Sequence, residues 1–128
     1  MAKLRLVHLA HARSGDKGDT ANIGVIAYRS EDYDLLAREL TASRVENHLA
    51  PFGIGDVERF ELPGLSAFNF LVRNALAGGG TVSLRTDSQG KVLSNALLRM
   101  KIDVPDKVAM ERAGKGYAPV GPETEGSP

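Results

Sequence analysis

A polar run separates two stretches in which apolar side chains alternate, and it reads His11-Ala12-Arg13-Ser14-Gly15-Asp16-Lys17-Gly18-Asp19-Thr20-Ala21-Asn22. The alternation in residues 4–13 before it and in residues 21–28 after it predicts two strands with partly covered faces. A minimal hairpin turn contains two residues, whereas the polar segment 14–20 contains seven. The sequence therefore predicts a long polar loop between two strands.

Helical spacing of apolar residues takes over downstream of this loop. Residues 33–40 repeat at i, i+3, i+4 and i+7, and a capping pattern at 43–46 predicts a second short helix that Pro51 ends. Residues 56–62 read as a charged edge strand. The stripe in residues 66–78 predicts a further helix, which buries Leu71 and places Phe70 on the polar side.

The last third of the chain predicts short strands and then a Pro- and Gly-rich tail. Alternation indicates strands at 82–86 and 96–102, and the tail at 104–128 contains four Pro and four Gly. We expect one domain over 1–103 followed by this tail. The element order predicts an α+β sandwich, with an antiparallel or mixed sheet of about four strands and helices on one face.

Composition excludes several classes of protein. Sixteen basic and 16 acidic residues give a net charge of zero, which argues against a nucleic-acid binder. The chain has no Cys, so it has no thiolate metal ligand or iron–sulfur cluster. No apolar stretch approaches the length of a membrane span or a secretory signal. We therefore expect a cytoplasmic protein that does not contact membranes.

The polar run gathers the groups that could carry chemistry. His11 and Arg13 lie two residues apart on one strand face, so they can converge with Lys17 on a carboxylate or phosphate. Asp19, Lys17 and His11 are the candidate catalytic residues, because they can hold an oxyanion or move a proton. The candidate ligand-binding residues are Arg13, Ser14, Gly15, Asp16, Gly18, Thr20 and Asn22.

An ordinary surface loop is the alternative interpretation of the same residues. Its carboxylates and lysine would pair with each other, while its hydroxyl and amide side chains would cap turns. A metal site is not predicted, because the histidines and carboxylates lack paired-ligand spacing.

The run 11–22 resembles the signature of the small ferredoxin-like domain at the C-terminus of AtuA-type acyclic terpene utilisation proteins. Leu62-Pro63-Gly64, Phe68-Asn69-Phe70, Gly78-Gly79-Gly80 and Ser83-Leu84-Arg85 are similar to that domain as well. The resemblance covers residues 4–103 approximately. It implies a ferredoxin-like fold without an iron–sulfur cluster and a role in the breakdown of branched acyclic acids as CoA thioesters.

The resemblance also implies partners, because a larger N-terminal domain normally precedes this one in the family. One hypothesis is a small subunit or module that contributes an anion- or acyl-CoA-binding loop to a large AtuA-type subunit. The other is a homodimeric enzyme that acts alone on acyl-CoA or carboxylate substrates by proton abstraction, hydration or carbon–carbon cleavage. We also expect a homo-oligomer, a CoA thioester is a candidate ligand under either hypothesis, and neither hypothesis identifies a cofactor.

Overall fold

A four-stranded antiparallel sheet in the order β2-β3-β5-β4 forms the centre of the computed structural model, which describes residues 2–74 and 89–113. Its strands are β2 (Ala10–Lys17), β3 (Thr20–Ala27), β4 (Val57–Leu62) and β5 (Ala67–Val72). A separate two-stranded antiparallel ribbon pairs β1 (Ala2–Arg5) with β6 (Lys101–Val104).

Helices cover one face of the four-stranded sheet. They are α1 (Tyr33–Glu39), α2 (Ala42–Leu49) and α3 (Gln89–Leu98), whereas a fourth helix, α4 (Asp106–Ala113), packs on β1 of the ribbon. Helix α3 packs on β2 and β3, and α2 packs on β4 and on α3. The side chain of Thr41 caps α2 by accepting a hydrogen bond from the Arg44 N–H at 3.2 Å. The α+β prediction of a four-stranded sheet with helices on one face is thus confirmed, and the sheet is antiparallel throughout.

The two faces of the sheet differ in burial. On the helix side, Ile23 and Val25 of β3 pair with Phe70 and Phe68 of β5, and all four are 0% exposed within one continuous core. Alternation puts the remaining strand residues on the opposite side, which we call the open face. By strand register, the open face consists of His11, Arg13, Gly15, Lys17, Thr20, Asn22, Gly24, Ile26, Glu58, Phe60, Leu62, Ala67, Asn69 and Leu71. None of these residues joins the core cluster.

The predicted helix at 66–78 is wrong where the structure describes it, because residues 67–72 form β5. Phe68, Phe70 and Val72 alternate into the core, so Phe70 is fully buried and offers no polar-side docking face. Aromatic and β-branched residues favour this pleated arrangement. Residues 75–88, with the three consecutive glycines and the predicted strand at 82–86, lie outside the described residues.

Two other predicted strands are shorter than expected. Residues 4–13 divide into β1, a 3-10 turn at Leu6–His8 and β2. Residues 96–102 begin as the end of α3 and become strand only at Lys101. The edge position predicted for 56–62 is confirmed by β4. Packing continues beyond residue 103, since Val104 and Ala109 belong to the core, while the proposed boundary itself stays a prediction.

The ribbon is attached to the helices by two charged side chains. Glu39 Oε1 accepts hydrogen bonds from Arg44 Nη1 at 2.7 Å and from the Asp103 N–H at 3.2 Å. Arg44 Nη1 also donates to the Glu39 carbonyl at 3.0 Å. Because Glu39 is at the end of α1 and Asp103 is in β6, these bonds fix the position of the ribbon.

We expect the ribbon to make stability depend on acid pH. Lys3 Nζ lies 2.5 Å from Asp103 Oδ1, and this hydrogen bond lowers the pKa of the Asp103 carboxyl. A lowered folded-state pKa stabilises the protein above the ordinary aspartate range, near pH 4, and this stability is lost as pH falls through the folded value. Urea unfolding of Lys3→Met should show a smaller loss of stability between pH 6 and pH 3 than the parent. Equal losses would contradict the assignment.

Candidate functional site

The predicted long loop is a tight hairpin. Strand β2 continues to Lys17, which pairs with Thr20 in β3 and leaves only Gly18 and Asp19 in the turn. Gly18 has a φ of +63°, and Asp19 is not among the residues with positive φ, as in a type II′ turn with glycine first. The predicted seven-residue connection is therefore wrong. The polar residues at the exposed end of β2 interrupt the alternation of apolar residues, but the strand itself continues through them.

The strand register divides the predicted site residues into three groups. On the open face lie His11, Arg13, Gly15 and Asn22. On the helix side, where alternate residues of β2 point, lie Ser14 and Asp16. At the hairpin end, Gly18 and Asp19 form the turn, and Lys17 and Thr20 pair with each other in the register of the open face. The ligand-binding residues inferred from sequence thus do not form one cluster.

The three candidate catalytic residues are also separated along the strand. His11 is six residues before Lys17 in β2. At the rise of an extended strand this spacing corresponds to about 20 Å. Asp19 lies still farther away, in the turn. A direct proton relay between His11 and Asp19 is therefore incompatible with this geometry.

The open face has a hollow at its centre, over Gly24. Gly24 pairs with Arg13 on one side and with Asn69 on the other, which places these two residues about 10 Å apart across it. A Cβ atom added at Gly24 would meet only the Arg13 backbone oxygen, at 3.9 Å. Asn22 lies two residues along the same strand. Arg13, Asn22 and Asn69 surround this position, which we call the Gly24 hollow.

Hydrogen-bond donors of the hollow face outward. Arg13 is exposed and has no hydrogen-bond or ion-pair partner among residues 2–74 and 89–113. Its planar guanidinium can bind a carboxylate or phosphate with two parallel hydrogen bonds. The amide groups of Asn22 and Asn69 supply further donors and acceptors. This set of groups can bind an anion or a polarised carbonyl.

Different chemistry flanks the hollow along the strands. At one end, the His11 ring stacks on Tyr28 with centroids 5.5 Å apart and pairs with Ile26, and the same row of the sheet continues through Ala67 to Leu62 on β4. At the other end, Arg73 bonds Glu58 at 2.8 Å and Asp56 at 3.0 Å, and these contacts raise the pKa of its guanidinium. The hollow therefore lies between an apolar end and a charged end.

Neither Gly24 nor Asn69 is among the site residues predicted from the sequence. Both omissions have the same cause, since residues 66–78 were interpreted as helical and a helix cannot align Asn69 with Gly24. The polar Asn69 between the apolar Phe68 and Phe70 is the signal that could have found the strand.

The family to which the sequence matches agrees with the α+β architecture. The model of the AtuA ferredoxin-like domain matches residues 4–103, which is most of the chain and includes every strand of the four-stranded sheet. The chain belongs to the AtuA ferredoxin-like domain family. The curated proteins and the solved structures that were searched contain no match to this AtuA ferredoxin-like domain.

Two further properties concern the described part of this AtuA ferredoxin-like domain. Within residues 2–74 and 89–113, no three His, Asp or Glu side chains form a group that could hold a metal ion. None of the four helices there is long and apolar enough to cross a membrane.

Proposed function

We propose that this AtuA ferredoxin-like domain is a binding module that holds a carboxylate or an acyl-CoA thioester at the Gly24 hollow. It would do so within an enzyme assembly that breaks down branched acyclic acids. The observation that carries the proposal is the placement of Arg13, Asn22 and Asn69 around a residue without a side chain, at the centre of an open sheet face.

The hollow suits an anionic or polarised group for physical reasons. Arg13 supplies a permanent charge, and charge-assisted hydrogen bonds are about twice as strong as neutral ones. Gly24 lets the ligand approach the backbone closely, since it has no side chain and even an added Cβ would make only an ordinary van der Waals contact, with the Arg13 backbone oxygen at 3.9 Å. The adjacent apolar end, with Ile26 and Leu62, offers a surface for the branched hydrocarbon part of an acid.

Binding is a better proposal than independent catalysis because of the separation between the candidate catalytic residues. With about 20 Å between His11 and the hairpin turn, His11 cannot act on the same substrate atom as Lys17 or Asp19. We infer that the residues for the reaction come from a larger AtuA-type domain. The hairpin end offers that domain the exposed carboxylate of Asp19.

Removal of the Arg13 charge should abolish most of the binding. Calorimetric titration with 3-methylbutyrate and with its CoA thioester is expected to show at least tenfold weaker binding to Arg13→Gln than to the parent, because one charge-assisted hydrogen bond contributes about 1.5–3 kcal/mol. Arg38→Gln is the matched control, since Arg38 is exposed on α1 among the helices. Equal affinities of the parent and Arg13→Gln would refute the proposed function.

Filling the hollow provides a second, independent test. Gly24→Val should fold normally, because valine favours strands and the site for its Cβ is open, yet its side chain would occupy the position of the ligand. We expect an unchanged or slightly higher melting temperature together with loss of binding. A Gly24→Val protein that binds both compounds like the parent would show that they bind elsewhere.

A further inference from the structure

Exposed apolar side chains concentrate at one end of the open face. Among the described residues, six large hydrophobic side chains are exposed: Tyr28, Phe60, Leu62, Leu65, Val92 and Met110. Phe60 and Leu62 lie on the open face, Tyr28 stacks on His11 of that face, and Leu65 lies in the turn between β4 and β5. Clusters of this kind mark surfaces that another molecule covers.

Charges on the open face have opposite signs at its two edges. The exposed Arg13 lies on β2, which is one edge strand. At the other edge, Asp56 and Glu58 share the single guanidinium of Arg73, so this edge has one negative charge in excess. A surface with a positive edge and a negative edge is complementary to a second copy of itself when opposite edges meet.

We propose that the open face binds a second copy of this chain, with the two sheets stacked face to face about a two-fold axis parallel to the strands. This rotation exchanges the edges of the sheet and leaves the ends of the strands in place. Strand β2 of one copy then lies over β4 of the other, so that Arg13 faces Phe60 and Gly15 faces Glu58. The apolar ends of the two copies meet each other.

A two-fold axis in the same plane but perpendicular to the strands gives a worse fit. It would place β2 over β2 and reverse the strand direction, so the apolar end with Leu62 and Tyr28 would lie over the charged end with Glu58 and Arg73. Charged groups lose hydration against an apolar surface without gaining a partner. The distribution of side chains therefore selects the axis parallel to the strands.

The size of the face sets the strength of the association. Four strands spaced about 4.8 Å apart, each about 20 Å long, give a flat area near 400 Å² per copy. Side-chain relief and the flanking Tyr28 and Leu65 increase it, so the total is near 1,000 Å², at the lower limit for specific interfaces. We expect a dissociation constant in the micromolar range, of about 1–100 μM.

The dimer would also complete the site, a role that rests on the proposed function. Under the two-fold rotation, Asn69 and Phe60 of the second copy lie over the Gly24 hollow. Each of the two equivalent hollows would then be formed by residues of one copy and covered by residues of the other. Exclusion of water from the hollow strengthens the interaction of Arg13 with an anion.

Sedimentation equilibrium without ligand tests the dimer. The parent should change from monomer to dimer across the micromolar range, and Phe60→Arg should raise the dissociation constant about 100-fold or more, because each dimer contains the substitution twice and each new guanidinium faces Arg13 of the other copy. Val92→Arg is the matched control, since Val92 on α3 is 40% exposed and Phe60 is 41% exposed. It should leave the constant unchanged. A parent that stays monomeric at 500 μM, or equal effects of the two substitutions, would overturn the proposal.

Chemical cross-linking tests the direction of the axis. The chain has no Cys, and a Cβ at Gly15 meets no atom within 4 Å, so Gly15→Cys is tolerated. A mixture of Gly15→Cys and Glu58→Cys proteins treated with a short bis-maleimide should give a covalent heterodimer, whereas each protein alone should give none. Linked Gly15→Cys homodimers, or no heterodimer at concentrations where sedimentation shows a dimer, would exclude the parallel axis.

These tests separate the dimer from the proposed function. Ligand-free dimerisation together with loss of anion affinity in the Arg13→Gln protein supports both proposals. A dimer whose anion binding does not respond to Arg13→Gln overturns the proposed function and retains the interface. A monomer that binds anions at Arg13 overturns the interface alone.

Discussion

Replacement of Phe68 by alanine is expected to lower the free energy of unfolding by about 3–5 kcal/mol, the usual cost of removing a buried phenylalanine ring. Phe68 is 0% exposed. Its ring stacks on Tyr33 with centroids 4.7 Å apart and planes 3° from parallel, and the Arg59 guanidinium lies 5.3 Å from its centroid. The substitution removes both contacts and leaves a cavity between β5 and α1. Urea unfolding at constant pH, with the same m value for both proteins, measures the loss.

Leu71→Ala is the control that distinguishes a strand from a helix in this segment. Leu71 belongs to the open face and is only half-buried, so we expect a loss of about 1 kcal/mol or less at concentrations that keep the protein monomeric. A helix over 66–78 would place Leu71 in the core, where truncation costs about 2–5 kcal/mol. Equal losses for Phe68→Ala and Leu71→Ala would contradict the strand.

The segment around Phe68 shows why part of the fold could not be predicted from sequence. The apolar residues Phe68, Leu71 and Val72 fit a helical stripe, whereas Phe68, Phe70 and Val72 fit a strand, and six residues are too few for either period to dominate. Pairing with β3 on one side and with β4 on the other decides for the strand. This pairing cannot be deduced from the segment alone, because β3 lies far away along the chain and β4 lies on the other side of a turn.

Local signals were sufficient elsewhere. The spacing of Tyr33 and Leu36 predicted α1, and the charge of residues 56–62 predicted an edge strand, as the structure shows. The twelve-residue run correctly placed His11 and Arg13 on one face, because both belong to a strand whose alternation is local. The different positions of the other residues of this run were not predictable. They depend on where the turn between β2 and β3 lies, and the sequence predicted a longer turn than the structure has.

Arg59→Met is expected to cost about 2–3 kcal/mol of stability, because hydrogen bonds to a charged group contribute about 1.5–3 kcal/mol and their loss leaves acceptors unsatisfied. Arg59 Nη1 donates to the carbonyl oxygens of Ala37 at 2.7 Å and Leu40 at 2.9 Å, at the C-terminal end of α1. These carbonyls have no partner within the helix, and a cation there also interacts favourably with the helix dipole. The side chain is 18% exposed, so water cannot easily replace it. Urea unfolding with an unchanged m value gives the loss.

Arg73→Met is the matched control in the same sheet, and its expected effect on the melting temperature is small. Arg73 has two ion pairs, yet its side chain is 42% exposed and its partners Asp56 and Glu58 are 67% and 46% exposed. Exposed pairs gain little over hydration and lose side-chain entropy. Arg59 and Arg73 both bond nearby carboxylates, but only Arg59 points to the helix side. A larger destabilisation by Arg73→Met than by Arg59→Met would mean that the ion pairs of the open face, and not the attachment of α1 to β4, hold this edge of the sheet.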